Sequence, residues 1–251
     1  MSANICTLTT DPGFNVNASR ALGLLLLLSA TVPVRADDWD WSLTPYLWAA
    51  GIDGTISTTV LDADFSADFE DIVNVLEGGI ILAVEAQSGR NLLYSDIVSL
   101  ALDNDEVADT VGGTLAADVD TLILQAGYAR SLSEGFWVEA GGRYWNFDIR
   151  FDPAIAASVE RSSNWIDVFA GVRIDSSLGE NWVFRGRANV GAGDSDLALE
   201  VHVDFLRRFA NGHALSLGAR ALDIENNDGG SQPSERNVRF AGLTIGYTFS
   251  W

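Results

Sequence analysis

The sequence predicts an all-β fold: one transmembrane, antiparallel, up-and-down β-barrel of about ten strands, within a range of about eight to twelve. Three observations predict it. The segment Leu243-Thr244-Ile245-Gly246-Tyr247-Thr248-Phe249-Ser250-Trp251 puts an apolar residue at every second position, the period of a strand with one apolar and one small, polar face. The chain is 47% hydrophobic, yet beyond residue 36 no stretch is apolar enough to cross a bilayer as a helix. The connections between alternating segments are by turns short and long, as in a barrel with tight turns on one side and longer loops on the other.

The N-terminal part is read separately. Arg20 precedes Leu24-Leu25-Leu26-Leu27-Leu28, and Val34-Arg35-Ala36 supplies small residues at a cleavage spacing. This predicts a secretory signal peptide over residues 1–36, with residues 1–19 as an over-extended start, and a barrel over 37–251. A membrane anchor is the alternative, but the apolar run falls short of the ~20 residues a span needs. The single cysteine, Cys6, lies in the leader, so the barrel has no disulfide or thiol chemistry.

Taken in order, the elements are as follows. Residues 39–48 open the barrel with an aromatic-rich strand in which Pro45 predicts a bulge or local irregularity. Residues 55–61 extend that strand or form an extra one. Residues 66–77 break the period of two: Phe69, Ile72, Val73 and Leu76 fall at helical spacing, predicting a short helix. That helix is either a lid or plug over the external mouth, or a turn packed on the rim. Strands follow at 79–87, 91–103, 118–130, 136–151, 165–175, 182–191, 197–209, 214–224 and 238–251. Short turns follow residues 87, 130, 175 and 209. Longer polar loops cover 104–117, 152–164, 192–196 and 225–237. Placing both chain ends and the short turns in the periplasm satisfies the alternation.

The same alternation assigns faces. Ile166, Val168, Ala170, Val172 and Ile174 form a lipid face opposite Asp167, Gly171, Arg173 and Asp175. Arg185, Arg187 and Asn189 oppose Trp182, Phe184, Ala188 and Val190. Glu200, His202 and Asp204 oppose Leu199, Val201, Val203 and Phe205. Glu85, Glu139, Arg143 and Arg220 complete the inward set, although parity reads as slipping near Trp145. An arginine facing lipid near the midplane costs ~2–4 kcal/mol, which favours inward placement. Two readings of this set stay open: pairs that cross the lumen and lock the barrel, and opposed charged rows that set selectivity in a narrow constriction. Trp39, Trp41, Phe136, Trp137, Trp182, Phe209, Tyr247, Phe249 and Trp251 lie near the turn-side strand ends, where a membrane-interface belt is expected.

Charge and motifs limit the chemistry. All 15 basic residues are arginine, and the net charge is −20. That excludes a nucleic-acid binder, which needs a basic face. It permits cation preference, divalent bridging to lipopolysaccharide, or adaptation to a salty habitat. There is no Gly-x-Ser-x-Gly elbow and no His-Glu-x-x-His motif, so no enzyme is expected. His202 between two carboxylates is the one residue on which a barrel hydrolase would rest. His213 sits in a turn. The loop acids Asp103-Asn104-Asp105-Glu106, Asp194-Ser195-Asp196 and Asn226-Asn227-Asp228 lack the spacing of a calcium loop. No metal and no cofactor is expected.

Several motifs carry a resemblance. Thr44-Pro45-Tyr46-Leu47-Trp48 with Gly51-Ile52-Asp53-Gly54, Phe69-Glu70-Asp71-Ile72-Val73 before Gly79, Gly142-Arg143-Tyr144-Trp145, and Gly191-Ala192-Gly193-Asp194-Ser195-Asp196-Leu197 resemble a group of uncharacterised Gram-negative outer-membrane β-barrel proteins. The closing strand, ending on an aromatic, resembles that of such barrels too. The resemblance spans nearly the whole barrel and implies the fold and an outer-membrane location, with no substrate or catalytic residues. Gly218-Ala219-Arg220-Ala221-Leu222 departs from the tyrosine-rich strand common in that group.

The function expected from these readings is a structural barrel or a narrow passive channel for small solutes or ions. The alternatives are a surface interaction protein acting through acidic external loops, and a His202 hydrolase. The expected partners are outer-membrane lipid and lipopolysaccharide, the barrel-assembly machinery through the C-terminal strand, and small solutes or ions. Nucleic acid is not among them, and the barrel is expected to be a monomer.

Overall fold

A computed structural model describes residues 39–58, 62–74, 76–110, 113–153, 159–228 and 234–251. The signal-peptide reading of residues 1–36 falls outside the described residues. The elements are β1 (Asp40–Thr58), β2 (Asp62–Ala67), α1 (Phe69–Asn74), β3 (Leu76–Ser88), β4 (Asn91–Thr110), β5 (Gly113–Ser133), β6 (Phe136–Pro153), β7 (Val159–Ser177), β8 (Trp182–Gly193), β9 (Leu197–Arg208), β10 (Ala214–Asp228) and β11 (Ser234–Ser250). Each strand from β3 to β11 pairs antiparallel with its sequence neighbour. β3 also pairs with β1, and β1 with β11, which closes a ten-strand up-and-down barrel. β2 is an eleventh, short strand paired to the upper part of β1. Closure is the physical solution for a sheet whose outer face is apolar, because it leaves no edge to expose in lipid.

The outer face follows the period of two. On β7, Ile166, Val168, Val172 and Ile174 are exposed; on β11, so are Leu243, Ile245 and Phe249, as is Trp251 just beyond it. The four short turns each carry one glycine at positive φ, at Gly89, Gly135, Gly179 and Gly212. They lie at the end of the barrel that also holds Trp41 and Trp251, whose backbones exchange hydrogen bonds of 3.0 and 3.1 Å. We call this the turn end and the opposite one the hairpin end.

At the hairpin end the strands outrun the loops predicted from polarity. β4 continues to Thr110 and β5 begins at Gly113, β6 runs to Pro153, and β10 to Asp228. Polar side chains do not stop a hairpin, since its ladder satisfies the backbone in water as well as in lipid. Residues 55–58 extend β1, and the extra strand is 62–67. The helix predicted within 66–77 is α1; it packs on β1, with Ile72 buried and Phe69 exposed.

Two local expectations are corrected. Pro45 makes no bulge against β11, because the β1–β11 register is unshifted from Leu43↔Phe249 to Tyr46↔Gly246. The irregularity is a gap in that ladder at Thr44 and Pro45, on the side to which the missing N–H would have donated, while Pro45↔Leu82 is the last β1–β3 pair. Nor does parity slip at Trp145: the β5–β6 and β6–β7 registers run through it unchanged, and Trp145 points inward like Arg143. Polarity suggests a slip because the inner face turns from charged to aromatic at that height.

Candidate functional site

The inward faces build stacked layers. At the turn end, Leu92, Ala129, Trp137 and Phe169 pack with Tyr94 into an apolar floor. Towards the hairpin end, Trp48, Val98, Ile123, Trp145, Leu222, Ile224 and Phe240 form an apolar ceiling. Trp145, Phe147 and Trp165 stack there at centroid distances of 5.5–6.4 Å. The position of Trp137 in the sequence predicts a place in the interface belt; it is buried in the floor instead, on the same face as its neighbour Arg173. Trp41, Trp182, Phe209, Phe249 and Trp251 are exposed near the turn end, and Trp39 and Tyr247 are half-buried.

The charged side chains form two clusters, a lower one level with the floor, where Trp137 pairs with Arg173 and Asp175 and Arg185 lie one inward step nearer the turn end, and an upper one between floor and ceiling. In the lower cluster, Arg173 Nη1 donates to Glu85 Oε1 at 2.7 Å and Arg173 Nε to Asp175 Oδ2 at 3.1 Å. Arg185 Nε donates to Asp175 Oδ1 at 2.9 Å, and Arg187 Nε lies 3.3 Å from Glu139 Oε2. In the upper cluster, Arg143 Nη2 donates to Glu200 Oε2 at 2.6 Å, and Arg220 Nη2 lies 2.8 Å from Glu200 Oε1. Arg220 Nη1 also donates to Asp96 Oδ1 at 2.9 Å and to Tyr46 Oη at 2.7 Å, while Tyr46 Oη donates to Asp96 Oδ2 at 2.8 Å. Gln125 Oε1 accepts from Arg143 Nε and Nη2. Asn189 couples the clusters: its Nδ2 donates to Glu200 at 2.8 Å and to Glu139 at 3.5 Å.

The layers interlock through the arginines. Arg220 Cζ lies 4.8 Å from the Trp48 ring centroid, Arg143 Cζ 5.4 Å from the Trp145 and Phe169 rings, and Arg187 Cζ 4.3 Å from Tyr94. A guanidinium is suited to this, since its edge donates to carboxylates while its face lies on an aromatic ring. The outcome is dry: Arg143, Glu200, Arg173 and Arg220 are each exposed by 2% or less. A cavity of about 70 Å³ remains within the lumen, bordered by Glu85, Arg185, Arg187, His202 and Asp204. That volume suits a few waters.

All the inward residues proposed from sequence are thus inside, but they are not joined as two opposed rows. Asp167 accepts from Ser195 N and Oγ and from Trp145 Nε1, each at 2.9 Å, and so ties the β8–β9 turn to the ceiling. Asp204 accepts from Thr244 Oγ1 at 3.3 Å and lies 3.1 Å from His202 Nε2. Ser216 Oγ donates to the Gly246 carbonyl. Asp175 belongs to the network as the polar face of its strand predicts, and Asp96, Gln125 and Tyr46 join it without being named among the inward residues by the sequence. Tyr46 and Asp96 carry a signal, since both fall on the inward phase of their strands. The acids at 194–196 act in the fold: Asp194 Oδ2 accepts from Ile166 N at 3.0 Å, and Ser195 is buried.

No protein-family model and no curated protein sequence matches the chain. Among solved structures it is similar to the outer membrane protease OmpT from Escherichia coli, at 8% identity over 89% of this chain and 100% of that one, with a TM-score of 0.49. It is also similar to Ail, the attachment invasion locus protein of Yersinia pestis, at 11% identity over 84% and 99%, with a TM-score of 0.43. A third likeness is to the translocator domain of the autotransporter NalP from Neisseria meningitidis, at 15% identity over 92% and 96%, with a TM-score of 0.41.

Proposed function

We propose that the protein is an integral outer-membrane barrel with a sealed lumen, a structural barrel and not an open passive channel. Membrane insertion is supported by the closed wall, the exposed apolar belt and the exposed aromatics at the turn end, which in this reading faces the periplasm. The observation that carries the sealed lumen is the upper cluster, in which Arg143, Glu200 and Arg220 are ion-paired and each exposed by 2% or less beneath the apolar ceiling. A conducting pore keeps its charged side chains wet, whereas here Arg143 and Glu200 meet in a dry interior.

The test is conductance of the refolded protein in a planar bilayer. The expected result is folded protein, marked by a heat-shifted gel band, with no discrete steps. Regular steps with ion bias overturn the sealed lumen. Arg185→Glu separates the cases further, since charge reversal shifts selectivity in a channel and lowers only stability in a sealed barrel.

The partners in this reading are lipid and lipopolysaccharide against the belt, and the barrel-assembly machinery through β11. Surface recognition is a second role compatible with the first. It is favoured by the β4–β5 hairpin, whose ladder continues to Thr110↔Gly113 and carries Asp103, Asp105, Glu106 and Asp109 along β4. Catalysis at His202 forms no part of the proposal.

A further inference from the structure

Arg185 on β8 and Asp204 on β9 stand directly opposite each other in the ladder, and both border the lumen cavity of about 70 Å³. Opposite charges in such a cross-strand position are close enough to pair. These two do not. Arg185 turns to β7 and β3, where its Nε donates to Asp175 Oδ1 at 2.9 Å and its Nη1 to Glu85 Oε2 at 3.5 Å. Asp204 turns to His202 Nε2, 3.1 Å away, and accepts from Thr244 Oγ1 at 3.3 Å.

Donors and acceptors around the cavity are therefore left in surplus. Arg187, one inward step from Arg185, has two loose ion pairs, 3.3 Å to Glu139 Oε2 and 4.0 Å to Glu85 Oε1. It donates no hydrogen bond among the described residues, and Glu139 Oε2 has no hydrogen-bond partner. A guanidinium carries five N–H donors, so Arg185 and Arg187 together hold several in reserve. Asp204 is the reverse case. Glu85 and Asp96, the other carboxylates on the cavity wall, are each paired with arginine, whereas Asp204 has no arginine partner among the described residues. Near it, Ser216 and Thr244 give their hydroxyl protons to the Gly246 carbonyl and to Asp204, which leaves their oxygen lone pairs to accept.

The wall is built to leave this space. Gly218 lies opposite Asp204, and Gly246 opposite Ser216. A Cβ at Gly218 would meet Asp204 Oδ1 and Thr244 Oγ1, and one at Gly246 would meet Ser216 Oγ and Tyr46 Cβ at 2.9 Å each. The floor is drawn from β4 to β7, while the cavity is lined mostly from β8 to β11, β1 and β3, on the side the floor leaves uncovered. Water reaches it, since the side chains of Glu85, His202 and Arg185 are 20%, 21% and 26% exposed.

We propose that this cavity binds a small α-amino acid as its zwitterion. The ligand carboxylate accepts from Arg185 and Arg187, and its ammonium donates to Asp204 and to the Ser216 or Thr244 oxygen. The ligand completes, through its own two charges, the ion pair that Arg185 and Asp204 do not make directly. A zwitterion adds no net charge, whereas a lone anion or cation leaves one uncompensated in a poorly solvated lumen. The volume restricts the ligand to the smallest side chains, those of glycine, alanine or serine. The site lies on the turn-end side of the ceiling, so it goes beyond the sealed-barrel reading and does not depend on it.

The test is equilibrium dialysis of radiolabelled glycine against the refolded full barrel, in maltoside micelles at low salt, with protein-free micelles as the blank. The expected result is saturable binding of one glycine per barrel. Acetate and methylammonium each carry one of its charges and should compete about tenfold more weakly or worse, a difference of ~1.4 kcal/mol. Asp204→Asn should weaken glycine by about tenfold or more, while labelled acetate binds no more weakly than to the unaltered barrel. Ala83→Leu narrows the cavity without removing a charge and should weaken glycine to a similar extent. Each variant is first shown to be folded by its heat-shifted band. Absence of saturable glycine binding overturns the site. Acetate or methylammonium competing as well as unlabelled glycine overturns the zwitterion. Undiminished glycine binding by folded Asp204→Asn or Ala83→Leu overturns its place in the cavity.

Discussion

Arg143 on β6 and Glu200 on β9 meet inside the barrel with Nη2 and Oε2 2.6 Å apart, although 57 residues separate them in the chain. Glu200 is shared, since its other oxygen lies 2.8 Å from Arg220. One carboxylate is therefore shared by two buried guanidinium groups, of which Arg220 also meets Asp96 and Arg143 has Glu200 as its ion-pair partner.

Removing that carboxylate should be costly. Glu200→Ala is expected to lower stability by ~3–5 kcal/mol, the scale for breaking a buried pair and leaving its partner charged. Glu200→Gln keeps an acceptor and should lose less. The exposed Arg239–Asp223 pair is the control: Asp223→Asn should cost ~1 kcal/mol or less. Urea midpoints of folded protein in vesicles, read by tryptophan fluorescence, check all three.

Two tryptophans near the same end of the barrel should behave differently. Trp137 is buried in the floor, so Trp137→Ala should cost ~3–5 kcal/mol through the cavity it leaves. Trp182 is exposed, with the Arg207 guanidinium 5.7 Å from its ring centroid. Trp182→Ala should cost ~1 kcal/mol or less, the scale of an exposed cation–π contact. The urea midpoints of the two variants give the comparison; equal losses would place both rings in the lipid interface.

The β8–β9 turn depends on Asp167. Asp167→Ala removes the acceptor of Ser195 N, Ser195 Oγ and Trp145 Nε1 together. Each stranded donor costs ~1–3 kcal/mol at most. The local signature is faster amide exchange at Ser195 while the exchange-protected centre of β11 stays unchanged.

Gly135 closes the β5–β6 turn at φ +71, and a Cβ there would collide with the carbonyl oxygen of Asp175. That approach is used: Asp175 N donates to the Gly135 carbonyl at 2.7 Å. Gly135→Ala should destabilise by ~1–3 kcal/mol, the scale of a strained backbone position. Gly89 has φ +55 with open space around it, so Gly89→Asn should be nearly neutral. Melting of the heat-shifted gel band distinguishes the two positions.

What the sequence determined by itself is the outward half of this protein. Ile166, Val168, Val172 and Ile174, or Leu243, Ile245 and Phe249, face outward one residue at a time, so their period of two was enough to place the strands, the exposed face and the four tight turns. The inward half depended on closure. Which carboxylate meets which arginine follows from register summed around ten strands, and it brings Glu85 to Arg173 and Asp96 to Arg220 across 88 and 124 residues. Only the tertiary structure decided that the lumen is layered. Trp137 and Trp145 face inward because a narrow, dry interior accepts aromatic rings as readily as a lipid face does, and polarity alone cannot tell these two apolar environments apart. Pro45 is a further case: the residue announces an irregularity, and only the pairing of β1 with both neighbours shows that the missing pairs, at Thr44 and Pro45, fall against β11.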